Sequence, residues 1–509
     1  MGKLAVALIV SSWAIPVSIV VNRIVTAPYM DEIFHIPQAQ QYCKGNFLSW
    51  DPMITTPPGL YYLSLAHVAS FFPGVYAVEG VSSQYFEWCS VSILRSTNVV
   101  LAVLCSVLIY DIITCVRPAL GERKATFLSV VLALYPLHWF FTFLYYTDVA
   151  SLTMVLAMYL ACLKKKYFFS ALLGAFSVFT RQTNIVWVVF VACSGVIDIT
   201  SPLIKETEIV DLSSGDDTIE VVSNYHAATA GNMRRRRKFN DAVESDKTPV
   251  LVRNASVIIN STGFLDEIRT ICLKSWLMKW RILLSFTPFL MVLVAFVAFV
   301  RWNGSVVLGA KEAHTVSPHF AQLMYFSLIS ALAAAPLHFS LSHCVALFWW
   351  SWKKGTLSFC QWLIALAAGF LSVHLFSIAH PYLLADNRHY TFYLWRKVVN
   401  AHQLGKYFLV PFYIYSWFSI FRTLGKVRPR VWVLAYFLAT AAVLVPAPLI
   451  ELRYYTLPFF FLMLHSSISY RSLMLMGLVY TAINAFTMTM FLFRPFQWSH
   501  EPGLQRFIW

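Results

Sequence analysis

An all-α polytopic membrane protein is the fold class this sequence predicts, and three observations predict it. Of its 509 residues, 58% are hydrophobic and only 12% are charged, about half the charge of an average soluble protein. The apolar residues fall in long runs, many of them close to the ~20 residues that cross a bilayer as a helix. The basic residues are divided unevenly between alternate connections, as a fixed membrane topology requires. Together these exclude a soluble multidomain protein, a disordered chain and a disulfide-stapled secreted module.

The elements follow in order. Lys3 precedes an uncharged stretch from Leu4 to Asn22, longer than the ~7–15 residues of a signal-peptide core, so it reads as a retained signal-anchor span. Further spans are expected near 90–113, 125–144, 148–163, 167–180, 184–199, 282–300, 319–338, 358–377, 405–421, 431–448, 455–468 and 472–493, about thirteen in all. With the N-terminus in the cytosol, the basic residues sort themselves. Lys3, the RPALGERK stretch at 117–124, Lys164 to Lys166, the loop 200–281, Lys353 and Lys354, RTLGKVRPR at 422–430 and Arg471 all face the cytosol. They outnumber the remaining Lys and Arg by roughly two to one, in the sense of the positive-inside rule. The net charge of +15 therefore speaks of topology, and no nucleic-acid partner is expected.

Three regions result: an N-terminal membrane module, 1–199, with a lumenal loop at 27–89; a basic cytosolic loop, 200–281; and a C-terminal membrane module, 282–509, with lumenal loops at 301–318, 378–404 and 449–455. The RRRRK run at 234–238 reads either as an anionic-partner patch or as a solvated face that holds topology. Asn254 and Asn260 head glycosylation sequons on the cytosolic side. Asn303, in NGS, lies on the opposite face and is the glycosylation candidate.

Unusual polar clusters gather on the non-cytosolic side. Asp31, Glu32 and His35 share a helical face at offsets of one, three and four. They suit either a base acting on an incoming hydroxyl or the start of a helix, whose dipole favours acids. The pattern lacks the paired histidines of a helical zinc motif, so no metal site is expected. WDPMITTPPGLYYL, which contains Asp51, sets a rigid turn through its two prolines. Asp386, Arg388, His389 and Tyr390 sit in an aromatic loop suited to phosphate and sugar contacts, or to an interfacial belt. Arg181 and Arg453 stand at lumenal span ends, where either a substrate phosphate or a lipid headgroup would suit them. Asp148 reads as support for such a site or as a span cap. Lone histidines such as His67 and His138 read as structural. The nine cysteines read as small buried hydrophobes; an oxidising lumen permits a bridge between Cys43 and Cys89, but none is expected.

In a fixed order along the chain, MDEIFHIPQAQQYCKGNF, WDPMITTPPGLYYLS, FLYYTD, FTRQTNIVW, LLADNRHYTFYLWRK and FQW…QRFIW resemble the endoplasmic-reticulum α-1,2-glucosyltransferases that use dolichyl-phosphate-glucose. The resemblance runs from the first span to the last residue and thins across 200–280. It implies a GT-C fold whose catalytic acid lies in the first lumenal loop, mapping to Asp31 or Glu32 with Asp31 the first choice. It also implies residence in the endoplasmic-reticulum membrane, dolichyl-phosphate-glucose as donor and a diglucosylated lipid-linked oligosaccharide as acceptor. No cofactor is implied. His35, Asp51, Arg181, Asp386, Arg388, His389, Tyr390 and Arg453 become candidate substrate-binding residues, with Arg388 and His389 expected to steady the departing phosphate. The rival classes are a transporter and a scaffolding subunit. Few charges fall near span centres, where a transport pathway would place them.

Overall fold

This computed structural model describes residues 1–71, 89–200, 263–314, 317–353, 355–499 and 503–509. The RRRRK run, Asn254, Asn260 and Lys354 lie outside them. The residues before 205 and after 261 fold as one compact unit, so the two membrane modules share a single body. Regular structure among the described residues is helical, apart from isolated bridges joining His389 to Ile508 and Phe496 to Gln505.

Among the described residues, six helices are long and apolar enough to cross a membrane: Gly2–Ile24, Val91–Val116, Gln182–Thr200, Lys279–Asn303, Thr356–Phe376 and Tyr470–Phe493. Shorter apolar helices cover most of the remaining expected spans. Four N-terminal helices frame the site: α1 (Gly2–Ile24), α2 (Glu32–Cys43), α3 (Gly59–Phe71) and α4 (Val91–Val116).

The expectation of unbroken spans at 125–144 and 319–338 is corrected at two places. The first helix stops at Ala133 and restarts at Pro136; the second stops at Ala333 and restarts at Ala335, just before Pro336. A proline removes a backbone donor and disfavours helix in the residue before it. The freed carbonyls must find partners, because lipid supplies none. The helix Tyr470–Phe493 provides both: Asn484 Nδ2 donates to Leu134 O at 2.8 Å and Tyr480 Oη donates to Ala333 O at 2.8 Å.

The helix Thr456–Leu464 explains a second difference. At nine residues it rises only about 14 Å, half of a bilayer core. It is apolar all round, as a helix enclosed by protein must be. Phe459, Phe460 and Phe461 are all fully buried. Tyr135 stacks on Phe459 at 4.4 Å and Trp187 on Phe461 at 5.0 Å. By contrast, Lys279–Asn303 buries little of its surface, the mark of a helix whose apolar side chains face lipid.

Cysteine usage also differs from expectation. Cys43, at the end of α2, is bridged to Cys89, just ahead of α4. The two helices pack against each other, so residues 46 apart in sequence become neighbours.

Candidate functional site

Four chain segments far apart in sequence bring charged side chains together at their helix ends. The first is the turn Tyr29–Glu32 leading into α2. Asp31 occupies the N-cap position there, yet its side chain makes no capping hydrogen bond. Its backbone N–H donates to Tyr146 Oη at 3.2 Å, and its carboxylate remains 44% exposed. The second segment, at the start of Thr147–Leu163, supplies Tyr146 and Asp148. The third is Arg181, where Tyr167–Thr180 ends in extended backbone. The fourth, the short turn Leu452–Tyr455 and the residue before it, supplies Glu451, Arg453 and Tyr454.

Arg453 is the hub. Its Nη1 lies 3.1 Å from Asp31 Oδ2 and 3.6 Å from Asp148 Oδ2; its Nη2 donates to Glu451 Oε2 at 2.7 Å. The guanidinium lies 5.4 Å from the ring centres of both Phe141 and Tyr146. Arg181 donates to Asp148 Oδ1 at 2.8 Å and lies over the Tyr454 ring at 5.6 Å. Three carboxylates thus face two guanidiniums, and Asp31 is the most exposed of the three.

His35, one turn after Asp31, hydrogen-bonds through Nδ1 to Tyr61 Oη at 2.7 Å. Burial pulls its pKa below the ordinary histidine value, more than the Asp31 carboxylate pulls it up, so the ring is neutral near pH 7. The proline-rich turn supports the same region. Gln182, next to Arg181, donates to Thr55 O at 2.9 Å. Gly59 abuts the Phe179 carbonyl so closely that a Cβ there would clash.

The other candidates fall elsewhere. Glu32 is fully buried beside Arg95. Asp51 shapes a turn: Met53 N–H donates to its Oδ1 at 2.9 Å, and its own N–H donates to Gln38 Oε1 at 2.9 Å. Asp386, Arg388, His389 and Tyr390 form a second cluster with the last residues of the chain. Arg388 holds Asp386 in a fork, Nε to Oδ1 at 2.9 Å and Nη2 to Oδ2 at 2.8 Å. It also donates to Gln505 Oε1 at 2.9 Å and lies 4.6 Å above the Trp498 ring. Asp386 consequently has a pKa below the usual range: burial acts to raise it, but the Arg388 hydrogen bonds prevail. His389 Nδ1 approaches Trp509 O at 3.3 Å, and the Tyr390 ring lies 4.9 Å from that of Trp509. Asn303 donates through Nδ2 to Ser305 O and Val307 O at 2.8 and 2.7 Å, so modification there would first open this turn. Among the described residues, no three His, Cys, Asp or Glu side chains converge as a metal site would need.

Sequence reasoning missed Arg95, Tyr146, Glu451 and Tyr454. Glu451 and Tyr454 carried a usable signal, flanking Arg453 in the connection 449–455, and Arg95 carried another as a charge within the span 90–113; Tyr146, between two spans, gave none until packing is known.

The family model described as DIE2/ALG10 family matches residues 25–464. Over 514 aligned positions covering all of both chains, the sequence is 58% identical to an Arabidopsis thaliana protein named Dol-P-Glc:Glc(2)Man(9)GlcNAc(2)-PP-Dol alpha-1,2-glucosyltransferase. Proteins of the same name from Mus musculus and Yarrowia lipolytica are 34% and 31% identical, each over 96% of this chain and 94% of the relative. No solved structure matches.

Proposed function

The chain belongs to the DIE2/ALG10 family, and from that premise we infer that it is a dolichyl-phosphate-glucose-dependent α-1,2-glucosyltransferase. Its donor is dolichyl-phosphate-glucose and its acceptor the diglucosylated, dolichyl-diphosphate-linked oligosaccharide, as its relatives' names state. We assign it further to the GT-C class, with about thirteen spans, in the endoplasmic-reticulum membrane with a cytosolic N-terminus and a lumenal active site.

The observation that carries the mechanism is the Asp31 carboxylate, partly exposed and aligned by Arg453 at 3.1 Å. A β-linked glucosyl phosphate giving an α-linked product requires one in-line displacement with inversion. The acceptor 2-hydroxyl attacks the anomeric carbon, its proton passes to Asp31, and the bond to the phosphate oxygen breaks. A phosphate leaves without protonation, so a single carboxylate suffices, unlike the pair that an inverting hydrolase uses against an alkoxide leaving group. Charge growing on the departing dolichyl phosphate needs a cation. Arg453 and Arg181, beside Asp31, take that role in this reading. Arg388, to which the sequence gave it, sits instead in the second cluster, with Asp386 and Gln505.

An apolar groove of about 420 Å³, lined by Phe320, Leu323, Gly369, Ile414, Trp417 and Phe437, offers a path for the donor's isoprenoid. Gln322, next in sequence to Leu323 of that lining, donates through Nε2 to Ala447 O and Leu449 O at 2.7 and 2.9 Å and so holds the segment that leads to Glu451 and Arg453.

The test is glucose transfer by purified protein in lipid, with both substrates, comparing wild type with Asp31→Asn. Wild type should extend the acceptor by one glucose, and the variant should lose about 10²–10⁴-fold in kcat. A wild-type protein that is folded and inactive would refute the function; an active Asp31→Asn enzyme would refute only the base.

A further inference from the structure

Directly beside the proposed base lies a carboxylate that solvent never reaches. The Glu32 and Arg95 side chains are both fully buried and meet at 2.6 Å. Glu32 Oε1 accepts from Arg95 Nε at 2.8 Å and from Tyr145 N at 2.6 Å. Its Oε2 accepts from Arg95 Nη2 at 2.6 Å and from Tyr29 N at 3.1 Å. Arg95 spends every N–H of its guanidinium: two on Glu32, one on Asn22 Oδ1 at 3.2 Å, one on Val25 O at 2.5 Å and one on Ala27 O at 3.1 Å. One turn further along α4, Asn98 Nδ2 donates to Leu144 O and Tyr146 O at 2.6 and 2.8 Å. A single face of α4 thus anchors the turn that carries Asp31 and the segment whose Tyr146 meets the Asp31 N–H.

The turn so anchored is an unfavourable one. Met30 has a φ of 56°, left-handed backbone that a side-chain-bearing residue adopts only against steric resistance. Such a conformation persists only when its surroundings over-determine it, and here the Glu32 bond to Tyr29 N–H spans it.

We propose that Glu32 and Arg95 are positioning residues for glucosyl transfer: their buried pair holds the Tyr29–Glu32 turn left-handed at Met30, which presents the Asp31 carboxylate to the acceptor hydroxyl. This rests on the reading of Asp31 as base. Glu32 takes no proton in the reaction, since both its oxygens are occupied and enclosed. Losing the pair lets the turn relax toward ordinary backbone and moves the base away from its line of attack, where a displacement of about 1 Å costs up to about a hundredfold in rate.

The experiment compares Glu32→Gln with the double variant Met30→Gly/Glu32→Gln, measuring kcat and KM in lipid, normalised to folded protein. Glu32→Gln should lower kcat by about tenfold to a hundredfold, with both KM values within about threefold of wild type. Glycine adopts the left-handed conformation without steric cost, so the double variant should recover at least about threefold of the lost kcat. A kcat per folded molecule equal to wild type, a change confined to KM, or no recovery in the double variant would each overturn the proposal. If Glu32→Gln does not fold, Arg95→Lys replaces it, with the same split and the same rescue expected; failure of both to fold would make the pair a folding element and overturn the proposal. Loss of activity in Glu32→Gln together with an active Asp31→Asn would instead show that the base was wrongly assigned.

Discussion

Asp31 and Arg453, 422 positions apart in the chain, meet at 3.1 Å, and this contact joins the turn ahead of α2 to the short turn Leu452–Tyr455. An arginine this close fixes where the carboxylate points, which a base acting on a hydroxyl requires. The same guanidinium also reaches Asp148 and Glu451.

Arg453 should therefore tolerate little change. Arg453→Lys keeps the charge but cannot hold Glu451, Asp31 and Asp148 together, because an ammonium lacks the planar fork. We expect kcat to fall by about 10²–10³-fold, with the protein still folded. Steady-state transfer kinetics alongside a thermal melt check this; activity within a few-fold of wild type would remove Arg453 from the chemistry.

His35 predicts an acid-side loss of stability. Its pKa is lower in the folded protein than its ordinary value of about 6.5, so below that pH the unfolded chain binds more protons than the folded one. The stability it contributes is complete above pH ~6.5 and is lost as the pH falls toward the folded value. Thermal melts of wild type between pH 7.5 and 5 should decline, and those of His35→Gln should decline less. Parallel curves would dismiss the histidine as the cause.

The bridge between Cys43 and Cys89 closes a loop of 46 residues, for which chain entropy predicts about 4 kcal/mol of stabilisation. Replacing both cysteines with alanine, or adding reductant, should lower the melting temperature by a comparable amount. If reduction leaves both melting and transfer unchanged, the bridge has no bearing on stability.

The capped helix breaks offer a control far from chemistry. Asn484→Leu orphans the Leu134 carbonyl, at a cost of about 1–3 kcal/mol. Melting should fall while kcat per folded molecule stays the same. A matching fall in kcat would mean that the break communicates with the site.

The comparison of sequence with structure is instructive at the level of single residues. Hydropathy alone placed the apolar helices, because lipid exposure and burial both demand apolar side chains. It could not show that 455–468 is a short enclosed helix, since Phe459 to Phe461 would read the same facing lipid. Asp31, Arg181 and Arg453 were legible as charges at span ends, but their meeting was not, because it depends on packing between segments hundreds of residues apart. The choice between Asp31 and Glu32 was closed to the sequence for a simpler reason. Neighbouring helix positions point about 100° apart, so one faces the solvent and the other faces α4, and only the packing decides which.

The neutralised state of the two arginines bears on how the enzyme empties itself. A pair of bare guanidiniums would hold a spent phosphate monoester tightly and stall each round at product release. If Arg181 and Arg453 hold the departing phosphate as proposed, Asp148 and Glu451, which pair with them here, would compete with it for the same guanidiniums and favour its departure. On that reading the chain carries its own replacement anions for the lipid it must let go.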